Sequence, residues 1–252
     1  MKVVFNADDF GAHLAVSQGI IKAMREGVVR STTVMANLVT DGELGELKSM
    51  PGISAGLHAN LTKGRPLTQF PSRWLDGEGN FASKLLYSPE GGPALPYDAV
   101  CAELTAQLQC LLDAGVKVSH IDSHHHVHGF ATVLAVVEDL ASKHGLAARP
   151  ASEWMARRFN KQGIRRPDVL ITGFFGKNNI SCARLEELLG AAASSGAQSV
   201  EVMCHPGLSA GLPEDFSSYR EERDEEMAVL CSGELAAWLK GNDITIVNYA
   251  QL

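Results

Sequence analysis

Short runs of β-branched and apolar residues alternate along this chain with longer stretches whose apolar positions recur at helical spacing. The first run covers residues 2–7, with Val3, Val4 and Phe5 at its centre. Residues 14–26 follow as a helix, because Ile20, Ile21 and Met24 fall at helical spacing and Gly27 ends the pattern. The same reading gives strands at 31–36, 53–57, 116–122, 146–148, 169–172, 199–204 and 244–247. It gives helices at 41–50, 97–113, 131–143, 182–193, 220–230 and 234–239, with stops at Gly115 and Gly145 and a break at Ser232-Gly233. Strands that alternate with helices predict βα units and a parallel sheet. Seven or eight such units in one chain predict an α/β protein, a closed (β/α) barrel of TIM type rather than an open sheet.

Residues 62–95 break the rhythm. Gly64, Pro66, Pro71, Gly77, Gly79 and Pro89 precede Gly91-Gly92-Pro93. The stretch predicts a long insertion after the third strand, of the kind that forms binding loops or lids. Trp74, Phe81 and Tyr87 inside it are candidates for stacking on a ligand ring, and equally for packing the insertion itself. No composition break divides the chain, so residues 1–252 are expected to form one domain.

Composition narrows the partners. The chain is 45% apolar and 20% charged, ordinary values for a globular protein, and its net charge is −7. That charge argues against a nucleic-acid backbone or an anionic membrane as the main partner. Five cysteines without CxxC spacing predict reduced thiols in a cytoplasmic setting. No apolar stretch approaches the ~20 residues needed to span a bilayer, and the first apolar run, ending at Asn6, is not expected to act as a signal segment.

Candidate chemistry collects at strand ends. Asp8 and Asp9 follow the first strand and His58 the third. His124, His125, His126 and His128 follow the strand at 116–122, and His205 follows that at 199–204. In a barrel, the carboxyl ends of the strands share the face that hosts the active site. Bland readings compete: a single histidine at a strand end is more often structural, SHHHVH could be a solvated loop, and the Asp pair could in part cap the helix at 14–26. Four such groups at one end of one sheet favour a metal-dependent site. Two imidazoles and a carboxylate leave coordination positions open for water and substrate. A cation would also offset the repulsion between adjacent aspartates, so that one binds metal while the other acts as a general base. His205 suits a general acid. A Cys204–His205 dyad is excluded, since successive strand side chains face opposite ways.

The motifs NADDFG at 6–11, GLHANLT at 56–62, HIDSHHHVH at 120–128 and EVMCHPG at 201–207 together resemble the YdjC-like carbohydrate deacetylase family. The likeness includes STT at 31–33 and the region from Tyr219. It implies an irregular TIM-like barrel that hydrolyses N-acetyl groups of amino sugars, such as diacetylchitobiose and short chitooligosaccharides. It implies Asp9, His58 and His124 as ligands of one divalent metal, Asp8 as base and His205 as the group that assists departure of the amine. Spacing alone does not choose His124, because His124 and His128, or His126 and His128, would serve as well. His126 and His128 are expected to orient ligands or touch sugar, and Arg149 to steady Asp8. The family implies magnesium, whereas the nitrogen ligands suit zinc or another transition metal. It also implies a homodimer. Ala59 and the small, glycine-rich loop at 208–218 depart from the family pattern and leave the sugar open. Two other readings remain: a two-histidine, one-carboxylate oxygenase, and a non-catalytic sugar-binding relative.

Overall fold

The computed structural model describes residues 1–87 and 95–252. Along the chain run β1 (Lys2–Phe10), α1 (Leu14–Glu26), β2 (Ser31–Val34), α2 (Asp41–Lys48), β3 (Ser54–Ala59), α3 (Ser83–Leu86) and α4 (Tyr97–Asp113). Then come β4 (Val118–Ser123), α5 (Ala131–His144), β5 (Ala147–Ala148), α6 (Glu153–Gln162), β6 (Val169–Ile171), α7 (Cys182–Ser194), β7 (Ser199–Cys204), α8 (Glu221–Leu230), α9 (Gly233–Gly241) and β8 (Thr245–Ile246). Helix ends obey local chemistry. Thr40 opens α2 with a reciprocal capping box to Glu43. Ser152, Ser181 and Ser232 cap α6, α7 and α9, and left-handed Gly145 and Gly163 close α5 and α6.

The chain divides into two compact units. The first holds residues 1–33, 40–54 and 167–252. Its axis is β1, buried from Val3 to Phe10. β1 pairs in parallel with β7, from Lys2↔Ser199 to Ala7↔Cys204, and with β8 through Lys2↔Thr245 and Val3↔Ile246. β6 adds to the far side of β7. Helix α1 packs against β1 and α8. Gly19 lets α1 approach the loop after β7, since a Cβ there would lie 2.3 Å from the Gly207 Cα.

The second unit holds residues 34–39 and 55–166. Its strands β3, β4 and β5 are parallel, with His58↔Asp122 and Ile121↔Ala148 among the aligned pairs. The ladder shifts register between Ala55 and Leu57, and a Cβ on the intervening Gly56 would strike the buried His120 ring at 2.6 Å. Helices α4, α5 and α6 pack in sequence.

The strand–helix alternation and the parallel pairings make this an α/β protein. No helix among the described residues is long and apolar enough to cross a membrane. Residues 62–82 form a loop pinned by the buried Glu103 carboxylate. That group accepts from Leu67 N–H at 3.0 Å, Thr68 N–H at 2.9 Å and the Thr68 hydroxyl at 2.7 Å. Trp74 and Phe81 are 5% exposed, so both pack the loop and neither presents a face to a ligand. Tyr87 stays exposed, and its hydroxyl donates to the His125 carbonyl at 2.6 Å. Pro89, Gly91, Gly92 and Pro93, part of the expected insertion, lie outside the described residues.

Three expectations are corrected. β1 continues through Asp8 and Asp9 instead of stopping at residue 7. β3 likewise carries His58 within it. Helix α6 has no counterpart in the periodicity reading, because only Met155 and Phe159 of its ten residues are buried. Its cap residue Ser152 and its stop Gly163 were the available signals.

Candidate active site

In the first unit the site is built at the end of β1. Asp9 adopts φ +74, a left-handed conformation that aspartate tolerates better than most residues, and Gly11 follows at φ +88. The turn is clamped from below: Gly11 N–H donates to Ser17 Oγ at 2.9 Å, and the Ser17 hydroxyl donates to Glu43 Oε1 at 2.6 Å. The Asp pair does not cap α1. His13 does so, accepting the Ala15 N–H on Nδ1 at 3.1 Å.

The two carboxylates are 3% exposed and take different partners. Asp8 Oδ1 accepts from Asn6 Nδ2 at 2.9 Å, and Asn6 Oδ1 accepts the Ser31 hydroxyl at 2.7 Å. Asp9 Oδ2 accepts from Arg223 Nη2 at 2.7 Å. Arg223 is itself buried and also reaches the Tyr219 carbonyl at 3.2 Å and the His205 carbonyl at 3.4 Å.

His205 follows β7 and is largely buried. Its Nε2 stands 3.9 Å from Asp8 Oδ2, and its Nδ1 stands 3.8 Å from Glu226 Oε1. Its backbone N–H donates to Glu226 Oε2 at 2.5 Å, and the Tyr219 hydroxyl donates to Glu226 Oε1. Burial works against the charged imidazolium. The hydrogen bond and charge of Glu226, with Asp8 and Asp9 behind them, outweigh it and raise the pKa above the usual histidine value. Tyr219 moves upward as well, through burial first and the Glu226 charge second.

In the second unit, parallel register sets His58 beside Asp122. His58 Nδ1 lies 2.6 Å from Asp122 Oδ1, and Asp122 Oδ2 lies 2.9 Å from Arg149 Nη1. All three side chains are at most 2% exposed. The carboxylate favours the tautomer with the proton on Nδ1, which puts the lone pair on Nε2. A histidine oriented in this way by a carboxylate is the arrangement that protein metal ligands use.

Beyond β4 the chain makes a tight turn over His124–Gly129 in which His125 and His126 both have positive φ. His124 is half-buried, its ring edge-on to His58 at 5.5 Å, and His125 stacks on it at 3.9 Å. His128 is fully buried, bonded through Nδ1 to the Ser123 hydroxyl. Burial, then the charges of His126, Arg149 and His58, lowers its pKa to about 3, so it stays neutral. The His128 side chain meets no solvent.

The first unit thus unites Asp8, Asp9 and His205, and the second unites His58, His124 and Arg149. Buried or half-buried groups of the kind that hold a metal ion are present in each: Asp9 in the first, His58 and His124 in the second. Sequence reading gave no role to Asp122, Arg223, Glu226 or Tyr219, although the region from Tyr219 carries part of the family likeness. Asp122 lies inside the quoted HIDSHHHVH motif, whereas Arg223 and Glu226 sit in an acid-rich helix where they look like solvated surface. Cys204 is buried, with Sγ 3.2 Å from the Asn6 carbonyl, as its small-core reading requires.

Comparison with known proteins agrees with these motifs. A family model described as YdjC-like protein matches residues 2–241. The chain belongs to this family. A carbohydrate deacetylase of Listeria monocytogenes is 33% identical over 253 residues, covering all of both chains. One from Vibrio cholerae is 34% identical over all of this chain and 96% of its own length. A solved structure from Enterococcus faecalis V583, proposed to be a cellobiose-phosphate cleavage protein, superposes with a TM-score of 0.85. It is 28% identical and covers 99% of this chain and 98% of that one.

Proposed function

We propose that the protein removes N-acetyl groups from amino sugars, with short chitooligosaccharides such as diacetylchitobiose as substrates, and depends on a divalent metal. The observation that carries this reading is the Asp8–His205–Glu226 row, in which a carboxylate faces a histidine held toward its protonated form. Amide hydrolysis needs a base for the attacking water and an acid for the departing nitrogen, and Asp8 and His205 supply that pair. The names of the curated relatives support a sugar substrate.

Asp9, His58 and His124 are the proposed metal ligands. The donor chemistry fits: a buried carboxylate and an imidazole whose Nδ1 is held by Asp122. Bound there, a divalent cation would polarise the acetamide carbonyl and acidify water. Asp8 takes the proton of the attacking water. His205 delivers a proton to the amine as the C–N bond breaks, and acetate and the free amino sugar leave. Arg223 holds Asp9 in place, and Asp122 holds His58. An oxygenase has no need of Asp8 and His205 in these roles, so hydrolysis is the better reading.

The reading includes a barrel formed by residues 1–252 as one domain, with 62–95 inserted, and a homodimer acting in the cytoplasm with magnesium or a transition metal. The test is acetate release from diacetylchitobiose by protein loaded with magnesium, zinc or cobalt in turn. Asp8→Asn should abolish release while retaining metal, and His58→Ala should lose the metal. Full activity in Asp8→Asn would remove the base assignment, and equal activity after exhaustive chelation would remove the metal.

A further inference from the structure

An exposed aromatic ring stands beside His205, on a loop for which the proposed chemistry has no use. Phe175 follows β6, four residues past the strand's end, and is 43% exposed. Single exposed apolar residues are common and need no explanation. Phe175 differs from such residues in how firmly it is held. Tyr219 stacks on it at 4.3 Å with the rings within 8° of parallel. The next residue, Gly176, donates its N–H to the Tyr219 hydroxyl at 3.3 Å. The Phe175 carbonyl accepts from Asn179 Nδ2 at 3.0 Å, and Asn179 N–H returns to the Gly176 carbonyl at 3.0 Å. Gly176 and Asn178 take positive φ to close this turn. The ring is therefore fixed while still open to solvent.

Its position matters as much as its rigidity. Phe175 is edge-on to His205 at 5.3 Å, and the Tyr219 that backs it bonds the Glu226 carboxylate. One tyrosine thus supports both the platform and the partner of the proposed acid. Of the ring candidates read from sequence, Trp74 and Phe81 are buried in their own loop. The geometry points to Phe175 as a specificity-determining residue, a platform that receives the apolar face of a pyranose ring next to the acetamide being cleaved. This rests on the sugar-deacetylase reading above. A sugar offers such a face through its axial C–H groups, and a flat ring held at low entropy is the kind of surface that recognises it. An ordering contact of this kind acts mainly on ground-state binding, and so on KM.

The experiment compares wild type with Phe175→Ala, Phe175→Leu and Phe175→Trp in metal-loaded protein. It measures kcat and KM for diacetylchitobiose, together with calorimetric binding of chitobiose. Phe175→Ala and Phe175→Leu should raise KM and weaken chitobiose binding by about three- to tenfold, and Phe175→Trp should restore both. Melting temperatures of Ala and Leu variants near that of wild type exclude general unfolding. A wild type that releases acetate while the Ala variant keeps its KM and affinity overturns the platform and leaves the function intact. A loss in kcat alone overturns it too, since the ring would then serve only to place His205. A wild type that binds chitobiose through Phe175 without releasing acetate overturns the function and leaves the platform. Absence of both binding and release overturns both.

Discussion

Replacing Glu226 with glutamine removes a charge from beside His205 while keeping the size of the side chain and one acceptor oxygen. The facing atoms, His205 Nδ1 and Glu226 Oε1, are 3.8 Å apart. At an effective dielectric of about 20, a unit charge pair at that distance interacts by about 4 kcal/mol. The working value is smaller, because the Glu226 charge is shared with the Tyr219 hydroxyl and the His205 amide. Asp8 also remains 3.9 Å from the other ring nitrogen. A fall in the His205 pKa is the expected result, because the hydrogen bond and charge of Glu226 are what hold it up against burial. If His205 delivers its proton to the leaving amine, activity fades as pH rises through that pKa. The alkaline limb of the kcat/KM profile for diacetylchitobiose should then move to lower pH. Stability should follow with a definite sign. The folded pKa is raised, so the charged histidine stabilises the fold below its unfolded value near 6.5, and this is lost as pH rises through the folded value. The difference in melting temperature between wild type and variant should therefore be widest below about pH 6 and narrow on the alkaline side. An alkaline limb that stays in place in a folded, metal-binding Glu226→Gln protein would refute the pairing as the source of the His205 shift.

Asp122→Asn weakens the hold on His58 Nδ1 and should lower metal affinity by about 10- to 100-fold, read by competition with a coloured chelator. Gly19→Ala would set a Cβ 2.3 Å from the Gly207 backbone, two residues after His205. It should destabilise by at least about 1–3 kcal/mol in urea denaturation and lower acetate release with it. His128, with its pKa lowered to about 3 by burial, makes the fold sensitive to acid. The unfolded chain takes up that proton below about pH 6.5 and the folded chain does not, so stability falls as pH drops, by up to about 1.4 kcal/mol per unit. A His128→Gln protein should lose stability less steeply than wild type in urea titrations between about pH 6.5 and 4.

The sequence by itself determined the order of most strands and helices, since that order follows from local periodicity and from caps such as Gly145. It also put His124 and His205 just past their strands, and it put Asp8, Asp9 and His58 near strand ends although β1 and β3 run on through them, because a strand's end is legible only to within a few residues. It lost α6, whose buried side is only Met155 and Phe159. What the sequence could not reach was the set of partners that give those residues their chemistry. Asp122 meets His58 through the register between β3 and β4, and those two residues are 64 positions apart. Arg223 reaches Asp9 across 214 positions, and Glu226 meets the His205 amide across 21. Nothing near those residues in the chain marks them as buried. Trp74 and Phe175 show the same limit for aromatic rings. One is enclosed by its loop and the other is held open by Tyr219, and a phenyl or indole looks equally apolar in a sequence whichever surroundings it acquires. Local structure depends on neighbours along the chain, whereas burial, charge partners and pKa depend on neighbours in space, and only the tertiary structure supplies those.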